Sequence, residues 1–98
     1  MILEQAILNI KPEESVIFEK AFAEAQKIIS SMPGFVNLDL LKCIEETDKY
    51  LLLVKWESIE DHTIGFRQSE KYNEWKQLLH HFYDPFPVVE HYETVISI

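Results

Sequence analysis

The chain has one cysteine, Cys43, in 98 residues. No internal disulfide can form, so a reducing cytoplasm is the expected setting. Positive charge is scarce: 9 Lys and Arg stand against 17 Asp and Glu, a net charge of −8. Nucleic acid, whose phosphates need clustered cations, is thereby excluded as a partner, and so are anionic membrane surfaces. No apolar run approaches the ~20 residues that span a bilayer. The opening Met1-Ile2-Leu3-Glu4-Gln5 lacks the basic start and apolar stretch of a signal peptide. There is no linker, repeat or low-complexity segment. What is present is a chain 47% hydrophobic and 27% charged, enough to form a core. Residues 1–98 are expected to form one domain.

Local patterns predict six elements. Ile2 to Ile10 reads as a strand. Pro12 then opens a helix, since its missing N–H is no loss in a first turn. Phe18, Ala21, Phe22, Ala25, Ile28, Ile29 and Met32 recur at three- and four-residue spacing along it, and Pro33-Gly34 ends it. Phe35 to Glu45 and Lys49 to Glu57 read as strands joined by a turn at Glu46-Thr47-Asp48. Ser58 caps a second helix, with Asp61 completing a capping box. That helix breaks near Gly65 and restarts at Ser69, carrying Tyr72, Trp75, Leu78, Leu79 and Phe82 on one side. Asp84-Pro85-Phe86-Pro87 stops it. Val88 to Ile98 is the last strand.

The order β-α-β-β-α-β, with its second helix split, predicts a ferredoxin-like α+β fold: an antiparallel sheet with helices on one face. Tyr50-Leu51-Leu52-Leu53-Val54 does not alternate with polar residues, so both faces of that strand are expected to be buried. Helices cover one face. A second copy packed sheet to sheet covers the other, which predicts a homodimer.

Candidate functional residues cluster after the third strand. Aromatic and titratable side chains gather there within about thirty residues, as in pockets where apolar walls surround a few polar groups. His62 is either a capping histidine or a pocket base. Arg67 either pairs with one of the many carboxylates or holds a substrate oxyanion. Trp56, Phe66, Tyr72 and Trp75 are either core or walls for a flat substrate. His80 and His81 point about 100° apart on a helix, so they cannot chelate one metal together. No His-x-x-x-His or Cys-x-x-Cys spacing supports a metal site. One of them either contacts substrate or holds the loop at Tyr83 and Asp84. Gln5 shares a strand face with Leu3, Ile7 and Asn9, and either binds a substrate oxygen or sits at a sheet rim. Cys43 reads as a core or interface residue, with no neighbouring base to activate it.

Pro33-Gly34-Phe35 before the second strand, Trp56-Glu57-Ser58 ending the third, and the helix bearing Phe66, Ser69 and Tyr72 resemble the antibiotic biosynthesis monooxygenase family of dimeric ferredoxin-like proteins. The resemblance covers nearly the whole chain. It implies one of two chemistries: cofactor-free oxygenation of phenols or anthrones, or heme binding and degradation. The heme pattern places an Asn on the first strand, a Trp on the second helix and a ligand His further along. Here Gln5, Phe66 and Trp75 or Lys76 fall near those positions, a departure at all three that argues against a heme cofactor. The resemblance thus implies a cofactor-independent monooxygenase for a small aromatic, quinol-like compound; the chemistry of the candidate residues then makes His62 the base and Arg67 the anion clamp, with Gln5, Trp56, Phe66, Tyr72, Trp75, His80 and His81 around the substrate. A non-catalytic ligand-binding or stress-related dimer is the alternative from another class, and a heme-binding protein is a third reading.

Overall fold

In a computed structural model describing residues 1–98, strand β1 (Ile2–Asn9) is followed by α1 (Ser15–Ile29), β2 (Phe35–Lys42) and β3 (Lys49–Trp56). A wide helical turn at Asp61–Phe66, α2 (Glu70–Leu79), a tight turn at His80–Phe82 and β4 (Val89–Tyr92) complete the chain. The four strands form one antiparallel sheet in the order β2-β3-β1-β4. With both helices on one face, this is the ferredoxin-like α+β arrangement read from the sequence.

Period-two alternation settles which side chains meet the helices. From the sheet come Ala6 and Leu8 of β1, and Tyr50, Leu52, Val54 and Trp56 of β3, all buried. From α1 come Phe18, Phe22, Ala25 and Ile29, at the predicted three- and four-residue spacing. Trp75 and Leu79 of α2 close the layer. Each large apolar side chain fully buried there contributes about 1.5–3 kcal/mol. Phe18 knits the layer by ring contacts to Phe22, Tyr50 and Phe82 at 5.7, 5.0 and 5.6 Å.

Several boundaries differ from the sequence reading. Helix α1 starts at Ser15 rather than at Pro12, because Glu13 has φ of +69°. That backbone cannot continue a right-handed helix, and Lys11 to Glu14 closes a turn instead (Glu14 N–H to the Lys11 carbonyl, 3.1 Å). β2 stops at Lys42. β4 spans only Val89–Tyr92, pairing Ala6↔Val89 through Leu3↔Tyr92. Beyond Tyr92 the partner strand runs out, since β1 begins at Ile2.

The other sheet face carries no helix. Leu3, Gln5 and Ile7 of β1 lie there beside Leu51 and Leu53 of β3 and Leu41 of β2. Ile7 and Leu41 remain 44% and 47% exposed. The unpatterned β3 run thus divides as read: Tyr50, Leu52 and Val54 toward the helices, Leu51 and Leu53 toward the open face. Cys43 is half-buried at the edge of that open face rather than in the core.

Candidate active site

Between sheet and helices lies a cavity of about 430 Å³. Its walls are aromatic: Phe66, Tyr72 and Trp75 on one side, Tyr83 and Phe86 on another. Phe66 meets Tyr72 and Trp75 edge-to-face at 5.2 and 5.6 Å. The Asp84–Pro87 segment carries Phe86 and Pro87 onto the mouth.

One corner is polar, and three elements build it. β1 places Glu4 on the helix side, in register with His91 of β4. The turn after β3 supplies His62 and Arg67. Ser58 anchors that turn through a reciprocal capping box: its Oγ accepts from the Asp61 N–H at 3.3 Å, and Asp61 Oδ2 accepts from the Ser58 N–H at 3.2 Å. Gly34 makes room for this cap. A Cβ there would stand 2.2 Å from the Asp61 carboxyl, and its φ is +83°.

The turn does not break near Gly65. It widens, and the Arg67 N–H reaches the His62 carbonyl at 3.0 Å, an i→i+5 closure. On an α-helix, residues five apart would point about 140° apart. The wider turn brings both to the same cavity. Ser69 then caps α2, accepting from the Tyr72 N–H at 3.2 Å.

His62 is buried, 3% exposed, and not a surface cap. Its ring stacks on Trp56 (5.5 Å, 19° between planes). Nδ1 lies 2.8 Å from His91 Nε2, and Nε2 lies 3.4 Å from Glu4 Oε1. Glu4 Oε1 also accepts from the Trp56 indole N–H at 2.9 Å. Burial, then the Arg67 charge and His91, push the His62 pKa down to about 3. Burial pushes the Glu4 carboxyl up, against the Trp56 hydrogen bond and Arg67. Both shifts weaken the ionic character of the Glu4–His62 contact. No group of three or more His, Cys, Asp and Glu side chains is arranged to hold a metal ion.

Of the residues named from sequence, His62, Phe66, Arg67, Tyr72, Trp75 and His80 come together around the cavity. Gln5 does not: it points to the open sheet face, one residue out of phase with Glu4. Trp56 lies behind the wall, fully buried, and touches the site through Glu4, His62 and Phe66. His81 is exposed and packs on Phe82. The heme arrangement is not reproduced. Gln5 faces away, and Trp75 packs edge-on between Phe22 and Phe66 where a ligand histidine would be implied.

The site residues named from sequence did not include Glu4, His91, Tyr83 or Phe86. For Glu4 a signal existed: the apolar run Ala6, Leu8, Ile10 shares its parity. His91 had none, because only the β1–β4 register brings it to Glu4.

Fold and site together define a ferredoxin-like protein with an aromatic-walled cavity between sheet and helices. The chain belongs to the antibiotic biosynthesis monooxygenase family, whose model matches residues 1–78. It is 57% identical over 95 residues to the uncharacterized protein YczJ of Bacillus subtilis (strain 168), covering 97% of this chain and all of that one. A crystal structure of a candidate antibiotic biosynthesis monooxygenase from Bordetella bronchiseptica superposes with a TM-score of 0.92 at 30% identity, covering 97% of both chains. SnoaB, a cofactor-independent oxygenase from Streptomyces nogalater, shares the fold with a TM-score of 0.85 at 13% identity, covering 99% of this chain and 95% of that one.

Proposed function

We propose that the protein is a cofactor-independent monooxygenase acting on a small aromatic, quinol-like compound. The observation that carries this reading is the pairing of aromatic walls with one polar corner holding a carboxylate, an imidazole and a guanidinium. A flat phenolic ring fits between Phe66, Tyr72, Trp75 and Phe86, with its hydroxyl at the corner. The proton acceptor is the Glu4–His62 pair. Burial raises Glu4 toward neutral pH, where a general base works best. His62, held by Trp56 and His91, positions it. Arg67 holds the phenolate that forms, as a guanidinium fork does well. The electron-rich anion then adds O₂ at a ring carbon, takes the proton back as a hydroperoxide and loses water, so one oxygen stays as the product carbonyl and the other leaves as water. Family membership supports monooxygenase chemistry, and the oxygenase SnoaB supports its running without a cofactor.

The uncovered apolar sheet face supports a homodimer, as the sequence predicts. Oxygen uptake by protein stripped of metal and flavin, across a panel of quinols and anthrones, tests the proposal. Uptake stoichiometric with product is expected. No uptake with any of the panel, beside tight binding of the same compounds, would favour a non-catalytic binding protein.

A further inference from the structure

We propose that Glu4, His62 and His91 form a proton relay that runs from the cavity, behind its wall, to the outer edge of the sheet. The relay depends on the oxygenase reading only for its purpose, which is to leave Glu4 as the carboxylate base before oxygen reacts. Glu4 is 5% exposed and lines the cavity that substrate would fill. His91 does not line the cavity. It is only partly buried and sits on β4, the edge strand, opposite Glu4. His62 bridges the two with both ring nitrogens, at 3.4 and 2.8 Å. One such contact is ordinary packing. Two, aimed in opposite directions from a single buried imidazole fixed by stacking on Trp56, make a conduit.

The step balances. The Glu4 O–H passes its proton to His62 Nε2 while the His62 Nδ1–H passes its own to His91 Nε2. Glu4 becomes a carboxylate, His62 stays neutral in its other tautomer, and His91 becomes cationic. His91 then releases its Nδ1 proton to water. Imidazole moves protons this way because one nitrogen donates while the other accepts. Arg67, from the wide turn, faces all three groups and opposes charge on either histidine. Tyr72 of α2 also feels Arg67 and Glu4. The cationic state of His91 is therefore transient, which favours release over storage.

The test follows the imidazole nitrogens of uniformly ¹⁵N-labelled protein by long-range ¹H–¹⁵N NMR through a pH titration, without substrate. The relay predicts that His62 stays neutral and exchanges its Nδ1–H for Nε2–H as Glu4 ionises. Glu4→Gln loses the exchange while keeping the acceptor for Trp56. His91→Gln loses it too, with the Glu4 titration retained. A single His62 tautomer throughout the titration, or an exchange that persists in Glu4→Gln, overturns the relay. Tautomer exchange in a protein that consumes no oxygen with any quinol upholds the relay and overturns the oxygenase reading.

Discussion

At the residue scale, the site turns on how burial treats charge. His62 was read from sequence as a histidine free to titrate, yet its ring is sealed between Trp56, Glu4 and His91. In the unfolded chain it takes up a proton near pH 6.5, whereas in the fold it does so only at about 3. Between those values the unfolded state binds a proton that the folded state refuses, so stability falls as pH drops below 6.5, by up to about 1.4 kcal/mol per unit. His80 and His91 are also lowered and act in the same direction. Glu4, raised in the fold, acts oppositely: its contribution is complete below pH 4.5 and is lost as pH rises through its folded value. Between pH 6.5 and 5.5 the net slope is the sum of these contributions, and the His62 share is isolated by comparing the wild type with His62→Gln. Urea unfolding midpoints should decline over that interval, and His62→Gln should flatten the decline. An unchanged slope in the variant would mean that His62 charges in the folded protein. Arg67 gives a second prediction. Arg67→Lys should lower turnover by at least tenfold, because a point charge does not replace a planar fork; equal rates would remove Arg67 from the anion site.

At the element scale, most of the architecture was legible. The α1 spacing from Phe18 to Ile29 and the double-sided β3 run each specified a buried face, because burial follows periodicity. The site was less legible, for physical reasons. In β1 the polar candidate fell on Gln5, near the position of the heme pattern's Asn, although Ala6 and Leu8 share the parity of Glu4. A one-residue change of phase moves every side chain to the other face. The His62–Arg67 convergence was legible only as an irregularity near Gly65, and an α-helical period does not anticipate an i→i+5 turn. His91 needed the register of a strand distant in sequence. The cap of this turn is testable. Ser58→Ala should cost about 1 kcal/mol. Gly34→Ala should cost more, since the new Cβ meets the Asp61 carboxyl and φ is +83°. Unfolding midpoints measure both. No loss in Gly34→Ala would mean that the Asp61 cap is dispensable.

At the scale of the whole molecule, the uncovered sheet face decides how the protein exists in solution. Ile7, Leu41, Leu51 and Leu53 form an apolar surface that one chain leaves partly wet. Light scattering at micromolar concentration should give a mass near twice 11.6 kDa. Ile7→Glu should shift it toward the monomer by burying an unpaired charge against the second sheet. A monomeric wild type would mean that this face is used for something other than self-association. Dimer formation would leave the cavity intact, because the helices and the open face lie on opposite sides of the sheet.

In the proposed reaction the polar corner ionises a phenolic substrate before oxygen reacts. Anaerobic titration of a quinol into the protein, followed by absorbance, measures this directly. Phenolate absorbance is expected from the bound ligand at a pH where the free ligand is neutral, with that band lost in Glu4→Gln and Arg67→Gln while binding is retained. A ligand that binds the wild-type cavity and stays neutral would contradict it.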